Sequence, residues 1–224
     1  MQAPSLAPLP APTMPRLLAG TLGVSVTAAP RALHEVLGQW VDWTRAVSLS
    51  RVLDAPAKVE AGIPAWRKDE LREVCARARQ QLYVMALDEP TWQALVDAWA
   101  IQVDTEAAVA PLLQHWQAVQ RKLLATTGQL RGQLRDLLAQ GDAYSVRLAE
   151  MDAVMEAVLS PRELSFFSNV PELLRKRFAV LHAEAAGAAV HWLGLQSELR
   201  SLVQAELDAR FLPIDGLLAA LQSR

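Results

Sequence analysis

The chain has 224 residues, with 22 Lys plus Arg against 24 Asp plus Glu and a formal net charge of −2. Hydrophobic residues make up 52% and charged residues 21%, so the chain can fill a core and is neither a disordered tail nor a generally basic, phosphate-seeking protein. The single cysteine, Cys75, excludes an intrachain disulfide and a zinc site built on cysteines.

Residues 1–15 hold Pro4, Pro8, Pro10, Pro12 and Pro15 and read as an extended Pro/Ala-rich leader. Arg16, the apolar run from Leu17 to Leu22 and the small residues around Val26-Thr27-Ala28 loosely mimic a signal peptide. The prolines fill the part that should be short and basic, so a cytoplasmic location is the expectation. Charge-free runs such as Leu17 to Pro30 reach about fourteen residues, short of the roughly twenty that a membrane-crossing helix needs.

From residue 16 onward the apolar period is helical, and no run alternates with β-branched enrichment. The expected fold class is all-α, an elongated helical bundle with long heptad-patterned C-terminal helices. A short helix is predicted over 16–23. Pro30 opens the next, to about residue 54, with Leu33, Val36, Leu37, Trp40, Trp43, Thr44 and Val47 inside an arc of about 120°. On that wheel Trp40 and Trp43 are core and Asp42 is solvated. Pro56, Gly62 and Pro64 mark a linker. A helix over 66–87 turns Leu71, Val74, Cys75, Ala78, Leu82 and Met85 inward, and Asp88 caps a further one carrying Trp92, Leu95, Val96, Trp99 and Val103. These elements form an N-terminal helical subdomain, 16–104.

Residues 105–224 differ in kind and read as a coiled-coil-like bundle. A helix is predicted over 106–140, with Pro111 placed in its first turn. Val109, Leu113, Trp116, Gln120, Leu123, Thr127, Leu130, Leu134 and Leu137 follow a four-three spacing along it. Gly141-Asp142 is a stop followed by a new cap. Helices over 143–159 and 161–167 follow, then one over 171–209 opened by Pro171, with a last turn after Pro213. Its seam is Leu174, Phe178, Leu181, Ala185, Ala188, Trp192, Leu195, Leu199 and Leu202. At 1.5 Å per residue that helix is about 57 Å long, more than a compact domain of this size is wide. Its seam is covered either by the 106–140 helix and its return, or by a second copy or a partner. The two are compatible, and the second makes Leu174, Phe178, Leu181, Ala185, Ala188, Trp192, Leu195, Leu199, Leu113, Trp116, Leu123 and Leu130 candidate interface residues. The run Ala185 to Ala189, small throughout, predicts a close helix crossing.

No Gly-rich phosphate loop with its Lys, no G-x-S-x-G elbow and no H-E-x-x-H occurs. His34, His115, His182 and His191 share no i, i+3 or i, i+4 spacing. No catalytic residue, cofactor or metal ligand is therefore proposed, and a non-enzyme is the expectation. Gly128 and Gly132 enclose Arg131, which voids a membrane-type G-x-x-x-G and leaves a weak point in the helix. Arg121, Lys122, Arg131 and Arg135 form a candidate nucleic-acid strip, since Arg131 and Arg135 are i, i+4. Arg175-Lys176-Arg177 beside Glu172, and Asp152 with Glu156, read as solvated surface.

Two sets of strings carry a family resemblance. One is Leu37-Gly38-Gln39-Trp40-Val41-Asp42-Trp43-Thr44 followed by Ala46-Val47-Ser48-Leu49-Ser50. The other is Leu148 with Met151 to Glu156, then Pro161-Arg162-Glu163-Leu164, then Val170 to Leu174 with Arg177-Phe178. They resemble a bacterial family of unknown function that is similar to accessory proteins of type III Zorya anti-phage loci. The likeness covers roughly residues 16–210, and neither the leader nor 55–105 contributes to it. Such loci also encode membrane proteins resembling the MotA/MotB ion-driven stator. The resemblance implies a cytoplasmic accessory role in phage defence and brings no catalytic residues, while the two seams make a homo-oligomer or a complex with neighbouring locus proteins the expectation for partners. A helical adaptor is the first functional expectation and a DNA-engaging subunit the alternative.

Overall fold

A computed structural model describes residues 13–22, 33–54, 62–101, 105–184 and 190–222. Among these residues there is no strand, and the all-α expectation is met by eight helices. They are α1 (Thr13–Leu22), α2 (Leu33–Trp40), α3 (Trp43–Asp54), α4 (Ala65–Leu87), α5 (Glu89–Ile101), α6 (Thr105–Leu138), α7 (Ala143–Glu184) and α8 (Val190–Gln222).

Two helix starts follow directly from local chemistry. Asp88 accepts hydrogen bonds from the Thr91 N–H at 3.1 Å and the Thr91 hydroxyl at 2.7 Å. Asp142 accepts from the Ser145 N–H at 2.8 Å. A short side-chain acceptor at each site takes up an amide that has no partner inside its own helix. Gly141, just ahead, is needed for space. A Cβ there would lie 2.8 Å from the Ser145 Cβ and 3.1 Å from both the Ile63 Cδ1 and the Leu138 carbonyl oxygen.

Other boundaries differ from the sequence reading. The single helix expected over 30–54 is broken at residues 41–42. Asp42 accepts the Arg45 N–H at 2.9 Å and pairs with the Arg45 guanidinium, so it starts α3 instead of lying on the side of a longer helix. The continuous wheel fails with that break. Trp43 is 83% exposed, and Trp40 is half-buried with the Arg162 guanidinium 5.1 Å from its ring centre. Pro111 lies in the second turn of α6, not the first.

Pro161 and Pro171 were expected to begin new helices, yet α7 runs through both. A proline inside a helix removes one N–H and frees the carbonyl four residues back. At Pro171 that carbonyl belongs to Phe167, and it accepts the Gln120 Nε2–H of α6 at 3.0 Å. Near Pro161, Arg162 Nη1 donates to the Val158 carbonyl at 2.9 Å. The helix expected over 171–209 is described as the end of α7 and the front of α8, and α8 continues through Pro213. Ala185 and Ala188, and the crossing expected there, lie outside the described residues, as do the side chains of Leu181, Trp192 and Leu195.

α6 is the central rod, touching α4, α5, α7 and α8, while α4 also lies on α8, α1 on α7 and α8, and α3 on α7. Two apolar cores form along it. The first joins Leu18, Ala86, Trp92, Val109, Trp116, Val119, Phe167, Leu174, Phe178, Leu199 and Leu202. The second joins Cys75, Leu82, Leu123, Leu130, Leu134, Leu138, Leu207, Phe211 and Ile214. Each takes side chains from both sides of residue 105. Burial pushes the Cys75 thiol up to about 11, which leaves it a small apolar group. Among the described residues no helix is long and apolar enough to cross a membrane.

Gly128 and Gly132 have nothing within 4 Å of a built Cβ, so no neighbour requires them to be small. Gly128→Ala is expected to stabilise the fold by about 0.5–1 kcal/mol, read as a higher urea midpoint at unchanged slope.

Candidate functional site

The α6 seam has two polar members, and each is satisfied differently. Thr127 Oγ1 donates to its own Leu123 carbonyl at 2.8 Å. Gln120 instead reaches out of its helix. It sits between Val119 of the first core and Leu123 of the second, as Glu206 sits between Ala205 and Leu207. Gln120 Nε2 donates to the Phe167 carbonyl at 3.0 Å and to Glu206 Oε2 at 2.9 Å. Arg210 Nε donates to Glu206 Oε1 at 3.2 Å, and its guanidinium lies 4.2 Å from the Phe167 ring centre. One polar node therefore ties α6, α7 and α8 where the two cores meet. Burial raises the Glu206 carboxyl above the usual Glu range. The Gln120 hydrogen bond and the Arg210 charge pull it down, as does the Trp116 indole N–H more weakly, from outside strict hydrogen-bond geometry.

A groove of about 230 Å³ opens over this node. Leu124, Leu164, Phe167 and Pro171 give it apolar walls, and Gln117, Gln120, Ser168, Arg121 and Arg210 are its polar lining. Arg210 also borders a recess of about 40 Å³ that reaches Arg131, Glu156 and Glu163.

Beyond that recess lies a second charged group. Arg131 donates to Asp152 through Nε at 2.8 Å and Nη2 at 2.7 Å, a bidentate pair. Arg135 Nη1 donates to Asp152 at 3.2 Å and also pairs with Glu156. Burial opposes the Arg131 charge, and Asp152, with Glu156 and Glu163, more than offsets it, so its pKa is raised.

The candidate nucleic-acid strip is thereby divided. Arg131 and Arg135 are engaged by α7 carboxylates, and Asp152 and Glu156 are partly buried counter-ions instead of solvated surface. Arg121 and Lys122 remain exposed. Arg175 and Lys176 pair with Glu172 along α7. Of the candidate interface residues, Leu174, Phe178, Leu199, Trp116, Leu123 and Leu130 are buried within the chain and Leu113 is partly buried. No spacing rule connects Arg131 to Asp152 or Gln120 to Glu206, because each pair joins two helices; the only local hint was a glutamine inside an apolar seam.

His115 occupies a separate half-buried position. Its ring meets Trp92 edge-on at 5.7 Å, and Trp92 Nε1 donates to the Ala86 carbonyl at 2.8 Å. Burial holds the imidazole below its ordinary 6.5, with the Ala86 carbonyl and Asp88 pulling upward. A depressed folded value means the fold prefers neutral imidazole. Its contribution is full above pH 6.5 and is lost as pH falls from there toward the folded value. His115→Gln should therefore gain stability relative to the parent as pH drops from about 7.5 to about 5.5, measured by urea unfolding at both.

Among the described residues no three His, Cys, Asp or Glu side chains gather to hold a metal. Neither the curated proteins nor the solved structures contain a match to this chain. One family model matches residues 1–223, almost the whole length. The chain belongs to that family, described as protein of unknown function (DUF3348).

Proposed function

We propose that this chain is a non-catalytic helical adaptor that assembles through the outer face of α7. The supporting observation is a row of exposed apolar side chains seven residues apart, Phe166, Leu173 and Val180, at 41%, 37% and 47% exposure. At 100° per residue that row flanks the seam which Leu174 and Phe178 bury inside the chain, about 100–120° round the helix from it, so the apolar surface of α7 extends beyond what the chain itself covers. A helix of that kind covers its second face with another molecule. The partner is a second copy or the product of a neighbouring gene. The resemblance of the 37–50 and 148–178 strings to type III Zorya accessory proteins supports a cytoplasmic place beside a MotA/MotB-like membrane motor.

Mass measurement in solution, alone and after co-expression with the adjacent genes, tests this. An oligomer or a stable complex is expected, and Leu173→Glu with Val180→Glu should dissolve it while helicity is kept. A strictly monomeric chain that retains none of its neighbours would end the reading. A DNA-engaging role gains no support from the site. Of the strip, only Arg121 and Lys122 are unpaired among the described residues, and they answer to about two phosphates, a weak contact.

A further inference from the structure

The groove over Gln120 and Arg210 has a chemical bias of its own, independent of the assembly reading. Its lining includes two cations, Arg121 and Arg210, and no carboxylate, while Leu124, Leu164, Phe167 and Pro171 form its walls. Arg210 is 8% exposed, yet only its Nε–H is used, on Glu206. Nη1 and Nη2 have no hydrogen-bond partner among the described residues, and neither is sealed from solvent. A guanidinium offers five N–H donors in a planar fork, so the two Nη groups of this otherwise buried side chain are left open to solvent or to a ligand. Stacking on Phe167 and the bond to Glu206 fix the plane of that fork. Gln120 cannot compete for an incoming anion with its amide protons, because both are already given to Phe167 and Glu206.

We infer that this groove is a binding site for a small amphipathic carboxylate, with the anion on the free Nη donors of Arg210 and a short aliphatic body between Leu124, Leu164 and Pro171. Size sets the class. A cavity of roughly 150 Å³ holds one benzene ring, so about 230 Å³ takes a chain of several carbons plus a carboxylate, not a nucleotide or a lipid with two tails. Charge sets the sign, since Glu206, ion-paired with Arg210, already spends both oxygens inside the node, and Glu156 and Glu163 border the adjoining recess and are not in the groove lining. Arg121 at the rim adds long-range attraction that salt weakens.

Octanoate is the probe, with octylamine and octanol as charge-reversed and neutral controls of the same length. Titration into the full chain, followed by thermal unfolding and by isothermal calorimetry, should show a saturable rise in Tm for octanoate alone. Its affinity should exceed that of either control by at least about tenfold, the worth of a charge-assisted pair. Leu164→Glu places a carboxylate on an exposed wall position that the fold does not need buried, and Arg121→Glu reverses the rim. Both should keep the parent far-UV spectrum, and Leu164→Glu should weaken octanoate by about tenfold or more. Equal binding of octanoate and octanol would overturn the inference, as would unchanged octanoate binding in the folded Leu164→Glu variant. Absence of any saturable octanoate signal would overturn it as well. A complex that still forms with a neighbouring gene product in those outcomes would leave the adaptor reading standing.

Discussion

Phe178→Ala should lower the unfolding free energy by about 3–5 kcal/mol, read from urea denaturation at constant slope. The ring is fully buried in the first core, where α7 meets α6 and α8 beside Leu174, Trp116 and Leu202. Removing it takes apolar area from the interior and leaves a cavity that three long helices cannot close without sliding. For a fold whose total stability is about 5–15 kcal/mol, this is about a fifth of the whole or more. Val180→Ala, two residues on and 47% exposed, should cost no more than about 0.5 kcal/mol under the same conditions. The contrast also decides what covers the seam. If α6 and α8 cover Phe178, as the burial requires, the loss is independent of protein concentration. If a second copy covered it, the loss would shrink as the chain was diluted. A penalty no larger than that of Val180→Ala would mean that this core does not form.

The same residues show how far sequence reading reaches. Every member of the α6 seam from Val109 to Leu137 is buried or half-buried. A four-three apolar spacing has only one way to bury itself, so the pattern was sufficient. Asp88 and Asp142 were legible as caps because Asp88 stands just before Glu89-Pro90, with proline suited to a first turn, and Asp142 directly follows the Gly141 stop. Asp42 was not, since the apolar pattern continues across it and no glycine or proline marks the break. The side chain's own bond to the Arg45 amide makes the break, and that bond defeats the wheel that placed Trp43 inside.

The prolines of α7 fail for a different reason. Pro161 and Pro171 do what proline does locally, which is to deny the helix one bond each. Whether the helix then stops depends on who meets the freed carbonyl. At Phe167 the answer is Gln120, 47 residues away in sequence and on another helix. The polar node is illegible from spacing for the same cause. Gln120, Glu206 and Arg210 look like a seam defect and a helical i, i+4 pair until α6 and α8 are laid side by side.

The strongest such hidden dependence is at Asp152, where removal of one side chain should again cost about 3–5 kcal/mol. Arg131 and Asp152 are only 10% and 12% exposed, and Asp152 also receives Arg135. Asp152→Ala leaves a bidentate guanidinium in a nearly dry setting with Glu156 as its remaining neighbour, at 3.7 Å. The penalty is therefore mainly that of an uncompensated buried charge, not the worth of the pair. That distinction has a measurable signature. The double variant Arg131→Met with Asp152→Leu removes both charges and keeps the volume, so it should recover most of the stability lost in Asp152→Ala and keep the parent's helicity. Arg135 and Glu156 keep each other in that background. Asp152→Ala and the double variant being equally destabilised would show that the pair itself, and not its desolvation, holds α6 to α7. The predicted inequality would establish the opposite: these arginines are committed to the interior of the bundle, and reversing them disturbs the fold before it could disturb any contact with phosphate.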